Sequence, residues 1–398
     1  MPSLEERLAE KRFRGGINYS LARLIGPLEA LGNPHLQVPP TIHVAGTNGK
    51  GSTVALMGSL LRLMGYTVFS FTSPHLQSYS ERFSVGAGVG SLPQKVPELV
   101  EGPGGTMLST QTLSELLTEV ESKTKSFDCT EFELLTLMCF LHVSRSNYDF
   151  LILETGLGGR LDATNVVTPI LSIITRIDLD HQDFLGDSLE KIASEKAGII
   201  KPKCPVVIAA QNSVAQRVLE AKAKSVEAPY YSCDPLPRFD TTTPDFQLEN
   251  LALVMKSGLV LKQLGVALGM LPEPRGVYSS RALKGRFQIE ETSGSHIVRD
   301  VAHNALGFKT TFGEYQRRFP DRRPTVIVGL NRSRDPKLLL ELCFDFSDKV
   351  LYAKPDHELL WSYNEIVLLE PRLNAISLKE SLPSGDYLIL GSFYLMSL

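Results

Sequence analysis

Apolar runs of strand length alternate with segments of helical period along most of this chain, and that alternation restricts it to an α/β fold. TIHVA (41–45), YTVFSF (66–71), DFLILE (149–154), ILSIIT (170–175) and VVIAA (206–210) read as strands. VALMGSLLRLMG, TEFELLTLMCFLHV, SLEKIASEKAG and SVAQRVLEAKAK, which fall between and after them, read as helices. The strands are apolar on both faces, as a parallel sheet covered by crossover helices requires.

Near Leu271 the pattern gives way to LPEPRGVYSSRALKG, and a second alternation then runs through HIVRDVA, PTVIVGL, KLLLELCF, KVLYA and DYLILGS. The break predicts a large N-terminal parallel-sheet domain with a phosphate loop, residues 1–275, and a smaller Rossmann-like domain, residues 276–398. A cleft between two such domains is a usual place for a ligand. Residues 84–110, rich in Gly and Pro with little periodicity, are expected to be a surface loop holding short structure.

Charge excludes some functions. With Lys+Arg 41 against Asp+Glu 44 the net charge is -3, so nothing general draws the chain to nucleic acid or an anionic membrane. The segment Leu251 to Leu271 is broken by Lys256 and Lys262 and predicts a buried amphipathic helix rather than a membrane span. MPSLEERLAEKRFRGG is charged and lacks the apolar centre of a signal peptide, so a cytoplasmic protein is expected. Five scattered cysteines (Cys129, Cys139, Cys204, Cys233, Cys343) form no C-x-x-C pair and read as reduced thiols.

The strand Thr41 to Ala45 runs into Gly46-Thr47-Asn48-Gly49-Lys50-Gly51-Ser52-Thr53 and then a helix. Strand, glycine loop and helix N-terminus aim backbone N–H groups at a phosphate, with Lys50 as a point charge and Ser52 or Thr53 as a Mg²⁺ ligand. Gly51 separates Lys50 from Ser52, so the loop is a variant of G-x-x-x-x-G-K-[ST]. A Gly-rich turn with a solvated lysine is the plainer alternative.

A second rim feature is Glu154 at a strand end, followed by TGLGGRLDATN; GLGG alone would equally suit a tight turn. His181, in DHQDFLG, follows the strand ILSIIT and shares that rim, although by itself it reads as an ordinary loop histidine. Lys196 ends a helix at EKAG, where a lysine is ordinarily a solvated charge that complements the dipole.

HVAGTNGKGST, TSPHL with Glu81-Arg82, ETGLGGRLDATN, DHQDFLG and EKAGIIK occur in order over residues 43–201. This series resembles the folylpolyglutamate synthase and dihydrofolate synthase family of the Mur ligase superfamily, and KGRFQ (284–288), DVAHN (300–304) and GSFYL (391–395) extend the likeness to the second domain. The resemblance implies an N-terminal domain of Mur ligase central type binding ATP and folate, and a C-terminal glutamate ligase domain. The loop Gly46–Thr53 would bind ATP together with Asn250, Arg286 and Asp300, with His303 beside them. Ser73, Glu154 and His181 would hold two Mg²⁺ ions, and Lys196 would carry a carbamate. Thr130, Glu131, Phe132, Glu133, Leu161, Asp162 and Ala163 would form the pterin pocket.

The implied reaction is ATP-dependent addition of L-glutamate to dihydropteroate or to a (tetrahydro)folate through an acyl phosphate, with domain closure bringing Arg286, Asp300 and His303 onto the nucleotide. The expected partners are those small molecules, and the chain is expected to act as a monomer. Two departures stand out: Ala305 replaces the usual Pro after AHN, and VGLNRSRDP replaces an acidic DKD motif, with Asp335 in place of one aspartate. A cell-wall ligase acting on a UDP-linked muramyl peptide and a nucleotide-binding paralogue without catalysis are the alternative readings.

Overall fold

The computed structural model describes residues 2–11, 20–86, 98–102, 105–266, 269–280, 283–292, 295–353, 359–378 and 382–396. The chain divides into two compact units, the first Met1–Thr243 with Gln247–Ala282, the second Pro244–Phe246 with Leu283–Leu398.

The first unit is built on nine strands: β1 (Thr41–Ala45), β2 (Val68–Phe71), β3 (Phe83–Gly86), β4 (Leu99–Gly102), β5 (Gly105–Leu108), β6 (Phe150–Glu154), β7 (Leu171–Ile174), β8 (Val206–Ala209) and β9 (Tyr230–Cys233). Their order in the sheet is β4-β5-β3-β2-β6-β1-β7-β8-β9. From β2 to β9 the pairs are parallel, while β2–β3, β3–β5 and β4–β5 are antiparallel. The segment expected as a surface loop therefore gives the sheet an antiparallel edge. Four-residue strands interrupted by glycine are too short to show a period, which is why the sequence hid them; residues 87–97 and 103–104 of that segment lie outside the described residues.

Helices α1 (Leu4–Glu10), α2 (Ala22–Ala30), α3 (Lys50–Leu63), α4 (Thr110–Thr124), α5 (Glu131–Val143), α6 (Gln182–Leu185), α7 (Leu189–Lys196), α8 (Ser213–Ser225), α9 (Asp245–Gln263) and α10 (Pro274–Ser279) accompany this sheet. Leu4, Leu24, Leu117 and Leu135 from α1, α2, α4 and α5 share one core with Phe69, Phe71, Leu151 and Leu153 of the strands. Ile192 and Leu219 from α7 and α8 share another with Ala45, Ile174 and Ile208. Every residue of β1, β2, β6, β7 and β8 is buried, matching the two-sided apolar pattern of the sequence. The run beginning at Leu251 lies in α9, which buries Leu251, Val254 and Leu261, and no helix of the described residues is long and apolar enough to cross a membrane.

The second unit carries β10 (Gln288–Thr292), β11 (Ser295–Arg299), β12 (Thr325–Val328), β13 (Val350–Ala353), β14 (Asn374–Ile376) and β15 (Tyr387–Leu390) in the order β10-β11-β15-β12-β13-β14. All neighbours are parallel except the β10–β11 hairpin. Helices α11 (Ala305–Arg318), α12 (Pro336–Phe346) and α13 (Tyr363–Leu369) complete it. Phe308, Leu340 and Ile366 pack with Val298, Val328 and Leu388 in its main core.

Candidate active site

Parallel strands bring the carboxyl ends of β1, β6 and β7 side by side, with Val44 in register with both Glu154 and Ile173. The loop after β1 is bolted to the end of β7. The N–H groups of Thr47 and Asn48 donate to the Arg176 carbonyl, and the Thr47 hydroxyl donates to Asp178 O (3.0 Å) while accepting from Asp178 N–H (3.1 Å). Those amides are thus committed to the fold. The first-turn N–H groups of α3 (Lys50, Gly51 and Ser52) lie ahead of the first helical bond, Thr53 N–H to Gly49 O, the position from which a helix can offer donors to an anion.

Gly49 caps α3 with a left-handed φ of 90°, and an added Cβ there would stand 2.3 Å from Asn250 Oδ1. Asn250 and Gln247, one turn apart on α9, lie over the helix start: Gln247 Nε2 donates to Ser52 Oγ (3.3 Å), Asn250 Nδ2 to Gln247 Oε1 (3.2 Å), and Thr53 Oγ1 to Asn250 Oδ1 (3.5 Å). Lys50 curls back so that its ammonium donates to the carbonyls of Gly46 and Thr47.

The ETGLGGRLDATN and EKAG motifs interlock through glycines. A Cβ on Gly159 would meet the Glu195 and Lys196 carbonyls at 2.8 and 2.9 Å, and one on Gly198 would overlap Arg160 Cα. Arg160 N–H donates to Glu195 O, its guanidinium pairs with the Glu195 carboxylate at 2.8 Å, and Asn165 Nδ2 spans the carbonyls of Arg160 and Gly198.

This interlock corrects the reading of Lys196 as a solvated helix-end charge. It is 3% exposed, and its Nζ donates to Gly46 O at 2.8 Å. Burial, and then the nearby Lys50 charge, push its pKa down to about 7, against the opposing pull of Asp180 and Asp162. Glu154, buried at the end of β6, accepts the Ser73 N–H at 3.3 Å. His181 adopts a left-handed φ of 49° ahead of α6, its N–H held by the buried carboxylate of Asp180.

The residues implied for the pterin pocket divide by what they touch. Thr130 and Glu133 form the capping box of α5, and Glu133 also pairs with Arg23 at 3.0 Å, so both have structural work. Glu131 accepts the Tyr79 hydroxyl at 2.6 Å. The Phe132 ring lies directly on Gly156, where a Cβ would be 2.6 Å from it, which joins α5 to the loop after β6. Leu161 is half-buried, Asp162 and Ala163 are buried, and Asp162 caps the short turn Ala163–Val166.

In the second unit KGRFQ, DVAHN and GSFYL meet. Buried Asp300 accepts N–H groups from Phe287 and Ala302, both at 2.7 Å; burial raises its pKa and Arg286 opposes that. The Arg286 guanidinium lies 5.2 Å from the Phe393 ring centre, and the His303 ring packs on the same phenyl group. Asn304 caps α11. Asp335 caps α12 through Lys337 N–H, a structural role for the residue set in place of a DKD aspartate.

Known proteins share this architecture and sequence. The Mur ligase middle domain matches residues 104–248. The dihydrofolate synthase/folylpolyglutamate synthase of Bacillus subtilis is 39% identical over 377 residues, covering 87% of this chain and 83% of that protein. The chain belongs to the dihydrofolate synthase/folylpolyglutamate synthase family. The probable dihydrofolate synthetase of Schizosaccharomyces pombe is 31% identical, covering 84% of this chain and 82% of the relative. Thermotoga maritima folylpolyglutamate synthase superposes with a TM-score of 0.76 at 26% identity, covering 96% and 92% of the two chains. The Mycobacterium tuberculosis enzyme complexed with ADP and AMPPCP, at 23% identity, shares the fold with a TM-score of 0.82 over 99% of this chain and 96% of that one. The protein is an ATP-dependent ligase that forms an amide bond, and its relatives favour the dihydrofolate synthase/folylpolyglutamate synthase reading over a muramyl-peptide ligase or a non-catalytic paralogue.

For a member of the dihydrofolate synthase/folylpolyglutamate synthase family the donor chemistry suits Mg²⁺. Among the described residues no group of three or more His, Cys, Asp or Glu could hold a metal by itself. Mg²⁺ is commonly held by one or two carboxylates, waters and substrate phosphates, and a buried Glu154 beside Ser73 meets that requirement. Asp180 and Gln247 went unnoticed in the sequence. Asp180 immediately precedes His181, and Gln247 lies one helical turn before Asn250, and either spacing could have exposed them.

Proposed function

We propose that this ligase adds L-glutamate to dihydropteroate, to a (tetrahydro)folate, or to both, with release of ADP and phosphate. The observation that carries the proposal is the convergence of Lys50 and Lys196 on Gly46 O, at the end of a strand in register with Glu154. The substrate carboxylate attacks the γ-phosphate of ATP to give an acyl phosphate, and the glutamate amine then displaces phosphate through a tetrahedral intermediate.

Phosphoryl transfer asks the protein for position and charge neutralisation rather than covalent chemistry. The N–H groups opening α3 and the Lys50 ammonium orient the phosphates, and Gln247 and Asn250 hold the hydroxyls of Ser52 and Thr53 in place. Arg286, stacked on Phe393, supplies a second phosphate-directed cation; Asp300 and His303 complete the nucleotide contacts. Ser73, Glu154, His181, the Ser52 hydroxyl and a carbamate on Lys196 would hold Mg²⁺, which when bound would neutralise phosphate charge. A buried amine with a pKa of about 7 is about half neutral at neutral pH; the neutral form reacts with CO₂, and the carbamate, formed with release of a proton, makes that side chain an anion. On the substrate side, Phe132 and Asp162 supply a ring face and a hydrogen-bond acceptor for a pterin.

Glutamate-dependent ADP release with dihydropteroate, tetrahydrofolate or a UDP-muramyl peptide as acceptor tests the reading. Turnover with a pterin acceptor is the expected result. Turnover with the muramyl peptide alone, or with none of the three, refutes it.

A further inference from the structure

β1 carries one ionisable side chain, His43, at its centre, and nothing in the proposed chemistry uses it. It is wholly buried. Its Nε2 lies 2.8 Å from Thr164 Oγ1, while Nδ1 has no hydrogen-bond partner among the described residues. A buried imidazole nitrogen without a partner is costly, so the ring is held by what its other nitrogen does.

The direction of that bond follows from proton counting. Thr164 Oγ1 also lies 2.5 Å from Asp162 Oδ1 and has a single hydrogen to give. With Asp162 ionised, Thr164 donates to the carboxylate and must accept from His43, which is then the Nε2–H tautomer with a bare Nδ1. Burial and the Lys201 charge keep the imidazole neutral, which the single-donor arrangement requires. Asp162 Oδ1 also accepts Thr164 N–H at 3.0 Å, and Oδ2 accepts Leu157 N–H at 2.8 Å. Burial raises the pKa of Asp162 above the ordinary carboxylate value, and this set of donors opposes that rise.

We infer that His43 is a positioning residue for the substrate pocket: through Thr164 it fixes Asp162 as an oriented, ionised acceptor for the N–H donors on the pyrimidine edge of a pterin. The inference rests on the placement of the pterin at Asp162. His43 acts on pterin binding, not on phosphoryl transfer, which is the work of the loop that follows β1. A protonated Asp162 would present a donor to donors and reject the ring.

The test uses the full-length protein with His43→Leu, His43→Gln, Thr164→Val and Asp162→Asn. His43→Leu and Thr164→Val should each raise KM for dihydropteroate by about tenfold, a charge-assisted hydrogen bond's worth, with KM for ATP unchanged. Both should also lose discrimination against a pterin analogue that lacks the 2-amino group. His43→Gln, whose amide N–H can reach the Nε2 position, should recover most of the affinity, a rescue that a purely packing role would not give. If Asp162→Asn raises KM while Thr164→Val and His43→Leu leave it unchanged, the relay is refuted and the pocket stands. Unaltered KM in Asp162→Asn refutes the pocket itself. Should His43→Leu fail to fold, an unaltered KM in Thr164→Val still overturns the inference.

Discussion

The ammonium groups of Lys196 and Lys50 share one acceptor, the Gly46 carbonyl oxygen, at 2.8 and 3.2 Å. Lys196 is buried, and the Lys50 charge beside it adds to burial in lowering its pKa. Lysine in the unfolded chain keeps its ordinary pKa of 10.5, against about 7 in the fold.

That difference fixes a pH dependence. Between pH 7 and 10.5 the unfolded chain binds a proton that the folded chain does not, so stability rises with pH through this window. Below it the full cost of the buried charge is present. Lys196→Met, studied in CO₂-free buffer so that the amine stays unmodified, should exceed the parent in urea midpoint at neutral pH. The advantage should shrink toward pH 10. A constant difference across that range would show that Lys196 titrates normally in the fold.

Lys50→Ala should abolish ligation and spare the fold. Its described hydrogen bonds go to loop carbonyls, and it contributes charge rather than core packing. Turnover should fall by at least about 100-fold, the scale of a lost transition-state charge contact, with the thermal midpoint little changed. ADP release and a melting curve on the same preparation decide it. Near-normal turnover would remove the loop from the phosphate site.

Much of this was legible beforehand because it is written in local chemistry. The strands β1, β6, β7 and β8 declare themselves by continuous apolar residues, and the loop at Gly46–Thr53 by its glycines between strand and helix. The burial of Lys196 was not legible from the helix that carries it. It depends on Gly159 and Gly198 letting two backbones touch, a contact between segments far apart in sequence. The antiparallel edge of β3, β4 and β5 escaped for the opposite reason, since its strands are too short to carry a period. Asp335 is a helix cap, a role its place before Pro336 foreshadowed more clearly than its likeness to an acidic motif.

Gly49→Ala and Gly65→Ala separate backbone strain from a clash at the site. Both glycines have left-handed φ, 90° and 95°, so each substitution should cost about 1 kcal/mol of stability. An added methyl at Gly65 meets nothing among the described residues, whereas at Gly49 it would strike Asn250 Oδ1. Only Gly49→Ala should therefore raise KM for ATP. Equal ATP kinetics in the two variants would show that Asn250 does not guard the nucleotide.

Arg286 offers the sharpest test in the second unit. Its guanidinium lies against Phe393, and its charge faces Asp300, whose carboxylate is already engaged by two backbone N–H groups. The ring face and the nearby carboxylate together orient the guanidinium, a placement suited to a phosphate. Arg286→Ala should lower kcat by about 10³, the range of phosphate-directed arginines, while direct binding of dihydropteroate is unchanged. Arg286→Lys should recover only part of that loss, because an ammonium keeps the charge but neither the planar fork nor the stacking on Phe393. Phe393→Leu should resemble the lysine variant, since it removes the surface that orients the fork. If Arg286→Ala weakens dihydropteroate binding and leaves kcat intact, the residue belongs to the acceptor pocket rather than to the nucleotide.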